Sequence, residues 1–302
     1  VRSHHDPSRL DRAVLRTVAY SDVFDYPLTG TEVHRYLDGA AAEPNEIAAT
    51  LRRLTPSRLC EHEGLVALPG RDEIFATRKR RQREAERLWP SARRWGRVLG
   101  RFPLIRMVAV TGALAVDNVD ADADIDFLIV TVPSRVWLCR ILVTQVVRAA
   151  RVSGAELCPN WLLAADALGL DKHSLFAARE LVQMVPLVGI GVYREMRRLN
   201  SWTDALLPNS AGPPDVVLGD DVHPGALTRT TEGLLRGRLG AAVDTWDRRR
   251  KSREILRSSP SSVEIVLDDR QCKGHVNDHG TRIRRAYAER LAAIGLEPSA
   301  DA

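Results

Sequence analysis

Asp124 and Asp126, in the run Asp-Ile-Asp-Phe-Leu-Ile-Val, are the residues of this chain whose types and spacing bear most directly on chemistry. Along a strand, side chains at i and i+2 leave the same face, so the two carboxylates stand together while Ile125 and Phe127 turn to the other side. Neighbouring carboxylates in a partly buried place repel, and one takes up a proton unless a cation intervenes. Mg²⁺ suits such a pair, because it accepts one or two carboxylates and fills its shell with water and phosphate oxygens. Ahead of the pair, the β-branched run IRMVAV ends at Thr111-Gly112-Ala113. Gly112 permits close backbone approach, and N–H groups at the start of a following helix can hold a phosphate. Strand, glycine turn, short helix and Asp-x-Asp on the next strand together offer a way to hold a metal-bound triphosphate.

Asp117, Asp120 and Asp122 complete a set of five aspartates between positions 117 and 126. They read as a loop that adds negative potential. An EF-hand starting at Asp120 is excluded: its sixth position is Ile125 where glycine is required, and its twelfth is Thr131 where glutamate is required.

The elements that must position these residues follow from periodicity. Leu10, Val14 and Val18 recur at helical spacing, and Pro27 ends that helix. Thr29 with Glu32 forms a capping box for a second helix, and Pro44 fits the first turn of a third that carries Ile47, Leu51 and Leu54. LCEHEGLVALP predicts two strands about Glu63-Gly64. Three helices and a β-ribbon resemble the winged-helix family, which implies a third helix able to enter DNA, here exposing Asn45, Arg52 and Arg53. A charged connecting helix over 71–102 follows, with a kink or break at Pro90. Strands over IRMVAVTG and DIDFLIVTV, a helix from Arg135 to Val152 capped by Ser134, and a strand ELCPNWLLA come next; Pro159 points to an edge or bulge. KHSLFAARELVQMVPLVG and YREMRRLNSW read as helical, followed by a Pro/Gly/Ser-rich loop over about 208–225 and further helices. The expected fold class is α+β, with a mixed-sheet core over 103–168, a winged-helix-like domain over 1–70 and a mainly helical C-terminal region over 169–302.

Gly112-Ala113 followed by Asp124-Ile125-Asp126 resembles the signature of the DNA polymerase beta-like nucleotidyltransferase superfamily, where a Gly-Ser or Gly-Gly pair precedes Asp-hydrophobic-Asp on the next strand. SDVFDYPLTGTEVHRYL, TGALAVDN, DIDFLIVT and ELVQMVPLVG extend the likeness to a bacterial subgroup over most of the chain. The resemblance implies an α/β-type nucleotidyltransferase core that moves a nucleoside monophosphate from an NTP to an acceptor, releasing pyrophosphate. It assigns Asp124 and Asp126 to Mg²⁺ or Mn²⁺ and to catalysis. Nucleotide binding falls to Thr111, Gly112, Ala113, Asp124 and Asp126, with the Gly112 turn on the β- and γ-phosphates. Ala113 departs from the family's Ser or Gly. Asn160 stands where a third carboxylate belongs, leaving Glu156 and Asp166 as fallbacks. The rival expectation is a degenerate nucleotide-binding protein that regulates through its winged helix, by contact with DNA or protein.

Lys and Arg total 44 against 39 Asp and Glu, a net charge of +5 compatible with nucleic acid or nucleotide phosphates. No membrane span is expected, because no run of 18 uncharged apolar residues exists. Residues 1–7 are polar without an apolar h-region, and Cys60, Cys139, Cys158 and Cys272 form no CxxC pair. The expectation is reduced thiols in a cytoplasmic protein. CKGHVNDH places Cys272, His275 and His279 at zinc-ligand spacing without an evident fourth ligand. Arg135 and Arg140 are candidates to reach phosphates, and Glu180 and Gln183 to line a nucleotide cleft or to cap a helix interface.

Overall fold

The computed structural model describes residues 8–210, 212, 226–258, 265–274 and 279–298. The chain opens with helix α1 (Arg9–Asp22), strand β1 (Leu28–Thr29), α2 (Gly30–Arg35), α3 (Pro44–Leu54) and the hairpin β2 (Cys60–His62) and β3 (Leu65–Ala67). Local chemistry fixes these boundaries. Thr29 accepts from the Glu32 N–H while the Glu32 carboxylate accepts from the Thr29 N–H, and Pro44 takes the first turn of α3, where its missing N–H costs nothing. The hairpin turns at Glu63 and Gly64, both at positive φ. β1, β3 and β2 form a small antiparallel sheet in that order.

A 28-residue helix, α4 (Glu73–Gly100), leads to strand β4 (Ile105–Val110), a 3-10 turn (Gly112–Val116) and strand β5 (Ile125–Thr131). Of the kink or break expected at Pro90, the break does not occur: α4 is one continuous helix through the proline. Ala85, Trp89, Ala92, Trp95 and Leu99 pack against the sheet on both sides of the proline. Next come α5 (Val136–Val152), β6 (Leu157–Ala164), α6 (Leu175–Gln183), β7 (Val185–Val188), α7 (Ile190–Leu199) and α8 (Thr203–Leu206). The described C-terminal elements are α9 (Ala226–Arg236), α10 (Arg238–Ser258), β8 (Ile265–Leu267), β9 (Gln271–Gly274) and α11 (His279–Ala293).

The main sheet is mixed, in the order β7-β4-β5-β6-β9-β8, with only β5 and β6 parallel among the described strands. It therefore reaches beyond the expected 103–168 core, recruiting β7 on one edge and β8–β9 towards the other. VPLV, expected to be helical, is edge strand β7. Pro186 has no N–H to offer a ladder, and an edge position accommodates it. Ser134 does not cap α5: it sits at φ +60, and Arg135 takes the N-cap position.

Two faces of the sheet are buried. Val108, Val110, Ile125, Phe127, Ile129, Leu162 and Ala164 pack on α4 and α5. Met107, Ala109, Leu128, Val130 and Leu163 pack on Leu181, Met184, Tyr193 and Met196 from the α6–α7 side. The N-terminal helices do not bury their core alone, since Val14, Val18, Leu37 and Ile47 share it with Leu175 and Val182 of α6 and with Ile283, Tyr287 and Leu291 of α11. Buried Asp22 fastens this junction, accepting from Arg71 Nε at 2.9 Å and from Arg290 Nε at 2.6 Å. No described helix is long and apolar enough to cross a membrane.

Candidate metal centre

β4 and β5 pair antiparallel with Val110 opposite Phe127, and one step further the Thr111 N–H donates to the Asp126 carbonyl at 3.1 Å. On the other side β5 pairs in parallel with β6, Asp126 opposite Cys158. Thr111, Asp126 and Cys158 thus form a row across three strands. Strand alternation puts all three on the α6–α7 face, while Ile125 and Phe127 pack on α4 and α5 as expected.

Three local devices shape this row. Gly112 opens the 3-10 turn at φ +65, and a Cβ there would lie 2.6 Å from Asp126 Oδ2. Glycine is needed both for the dihedral and for the approach. Two residues of β6, Pro159 and Asn160, oppose the single Phe127, because Leu128 pairs with Trp161. This β-bulge bears out the reading of Pro159 and swings Asn160 onto the site, where its Nδ2 donates to Asp126 Oδ1 at 3.0 Å. Asn160 is therefore not a metal base but an anchor for the carboxylate beside it.

Asp124 is exposed, whereas Asp126 and Cys158 are half-buried, and one ligand atom from each lies within 4.8 Å of the other two. Burial, and after it the charge of Asp124, pushes the Asp126 carboxyl up to about 6 against the pull of Cys158 and Asn160. Burial and the two carboxylates push the Cys158 thiol up to about 12, so it is neutral near pH 7. Thr111 is only 6 % exposed, and its Oγ1 has no hydrogen-bond partner. Ala113 is exposed on the turn, and its carbonyl accepts from the Asn118 N–H.

The remaining sequence candidates lie elsewhere. The Glu156 side chain pairs with Arg151 at 3.0 Å, and Asp166 follows the opposite end of β6. Neither belongs to the group of Asp124, Asp126 and Cys158. Arg135 donates to the carbonyls of Leu235, Arg236 and Gly237 at the end of α9, and Arg140 pairs with buried Asp247 of α10 at 2.8 Å. Both are tied to helices rather than presented to a ligand. Glu180 and Gln183 are half-buried on α6. Cys272 is buried on β9; His275 and the side chain of His279 lie outside the described residues. All four thiols are free, as expected.

The acidic loop divides differently from its reading as a mere source of potential. Trp89 Nε1 donates to Asp117 Oδ1 at 2.6 Å, and Arg81 grips both oxygens of Asp120 at 3.0 and 3.3 Å. These two aspartates clamp the loop to α4, and Asp122 stays exposed.

Cys158 is the residue that sequence reasoning missed. The parallel partner of an Asp-x-Asp strand is a pairing, and spacing along one segment carries no trace of it. No family model, curated protein or solved structure matches the chain.

Proposed function

We propose that the chain is a metal-dependent nucleotidyltransferase, moving a nucleoside monophosphate from an NTP to an acceptor hydroxyl with release of pyrophosphate. The observation that carries this reading is the convergence of Asp124 and Asp126 on one strand face with the Gly112 turn pressed against the Asp126 carboxylate. That is the spatial counterpart of the resemblance to the polymerase beta-like superfamily. The helices and hairpin before α4 fit the winged-helix part of the same likeness.

The donors fit a hard divalent cation. Asp124 and Asp126 are oxygen ligands of the kind Mg²⁺ and Mn²⁺ take, and the buried Thr111 hydroxyl on the same face has no partner within the chain. When bound, such a cation neutralises phosphate charge and steadies the attacking and leaving oxygens. The chain's own contribution is positional. Asn160 holds Asp126 in one orientation, the clamps on Asp117 and Asp120 fix the loop that delivers Asp124, and the bare Gly112 backbone lets the Asp126 carboxylate lie against the turn. In the reaction, the bond from the α-phosphorus to the pyrophosphate oxygen breaks. A bond to the acceptor oxygen forms, and the acceptor proton passes to solvent.

Calorimetric titration of NTP with Mg²⁺, followed by an NMP-transfer assay, tests the proposal. Asp124→Asn and Asp126→Asn are expected to abolish transfer while preserving the fold. Intact transfer in both variants, or no NTP binding by the native chain, overturns it.

A further inference from the structure

Cys158 stands in the row of the metal centre yet has no part in holding a hard cation. Its thiol carries one proton and faces two carboxylates, those of Asp124 and Asp126, of which one proton can serve only one. The three ligand atoms lie within 4.8 Å of one another. A tetrahedral Zn²⁺ with ordinary Zn–S and Zn–O bonds sets neighbouring donors about 3.6 Å apart, so modest side-chain rotation closes the gap.

We propose, resting on the reading of Asp124 and Asp126 as a metal pair, that Cys158 is the third ligand of this centre and gives it preference for a thiophilic divalent cation of the Zn²⁺ class over Mg²⁺. Register supplies the arrangement: Asp126 and Cys158 are direct partners across parallel strands, and Asp124 is one step along the same face. The bulge at Pro159-Asn160 locks Asp126 through Asn160 and leaves Cys158 beside it. A second observation points to a ligand. Thr111, 94 % buried by its 6 % exposure, follows Val110 in strand alternation and so turns to the Asp126 face, where its Oγ1 meets no partner. That hydroxyl is a buried polar group left unsatisfied on the metal face, and exposed Asp124 marks the open side of the site. Soft thiolate favours Zn²⁺ and Co²⁺ and contributes nothing to Mg²⁺, which is the origin of the preference. As the ion binds, the thiol proton leaves to the buffer.

Co²⁺ titration of the full chain tests this, because a cobalt–thiolate bond gives a charge-transfer band in the near ultraviolet that oxygen ligands alone do not. The native chain and a Cys60→Ser control are expected to show the band at one equivalent, with a 100-fold excess of Mg²⁺ failing to remove it. Cys158→Ser is expected to abolish it. Cys158→Asp, an all-oxygen site, is expected to lose the band and to need about tenfold less Mg²⁺ for the same thermal stabilisation. A band that survives in Cys158→Ser, its absence from the native chain, or its removal by equimolar Mg²⁺ overturns the proposal. The cobalt band is read without nucleotide, so a chain that shows it but fails to bind NTP loses the nucleotidyltransferase reading alone.

Discussion

Gly112 and Asp126 are fitted to each other: a methyl group on the glycine would lie 2.6 Å from the carboxylate Oδ2, and the glycine holds φ +65. Gly112→Ala therefore meets a steric and a backbone penalty at once, together about 1–3 kcal/mol. It also pushes the carboxylate off its position. The expected outcome is a lower Tm and loss of the thermal shift produced by Mg²⁺, both read by differential scanning calorimetry with and without the cation.

Asp126 gives the metal-free protein a defined pH dependence. Its carboxyl is raised from 3.8 to about 6 by burial and by Asp124, so the fold favours the protonated form. The associated stability is fully present below about pH 4 and is lost as the pH rises through 6, a difference of roughly 3 kcal/mol. A bound divalent cation offsets that loss. Mg²⁺ is expected to raise Tm strongly at pH 7.5 and little at pH 4.5, and Asp126→Asn is expected to flatten both dependences. A Tm shift equal at the two pH values contradicts the assignment.

Asn160 donates to Asp126 Oδ1 at 3.0 Å and so decides which way that carboxylate points. Asn160→Ala removes the donor and is expected to cost about 1–2 kcal/mol. Asn160→Asp has the opposite balance: it adds a like charge to the metal-free protein, lowering its Tm, but supplies a further oxygen ligand. Thermal melts across a Mg²⁺ series should show the Asn160→Asp curve starting lower and rising more steeply than the native one.

The parts of this arrangement that were legible in the sequence are those written along one segment. The Thr29–Glu32 box, Pro44, the Glu63-Gly64 turn and the shared face of Asp124 and Asp126 depend on neighbours within a few positions. Cys158 and the role of Asn160 depend on how β6 lies beside β5 and where its register slips. VPLV was hidden for a similar reason, because four apolar residues after a helix read as its continuation until Pro186 finds a sheet edge. β8 and β9 are short and join the sheet only through distant β6, a contact that no local pattern announces.

Asp117 and Asp122 belong to one acidic loop but should answer mutation differently. Asp117 accepts from buried Trp89 Nε1 at 2.6 Å and itself sits at φ +53, whereas Asp122 is exposed. Asp117→Ala leaves a buried N–H unpaired and is expected to cost about 1–3 kcal/mol, with Asp117→Asn recovering most of it. Asp122→Ala is expected to stay within about 0.5 kcal/mol of the native chain in urea unfolding. Equal effects would mean that the loop acts through its charge alone.

α3 and the β2–β3 hairpin provide a last test, of the regulator reading. Arg52 and Arg53 are both exposed, but Arg53 is engaged by Asp11, and the same helix with its N-cap carries exposed Glu43 and Glu46. Two carboxylates on the segment that carries the two arginines, one of those arginines already paired, oppose a phosphate backbone, whose attraction depends on uncompensated positive charge. Duplex DNA is expected to bind weakly, with an affinity unchanged by Arg52→Ala and Arg53→Ala; the latter should also cost about 1–2 kcal/mol of stability, because it leaves the buried Asp11 carboxylate without its charged partner. Fluorescence anisotropy at two salt concentrations reads this directly. An affinity that falls with salt and drops in both variants would restore α3 as a nucleic-acid contact, and the metal centre would then act on a chain already held at DNA.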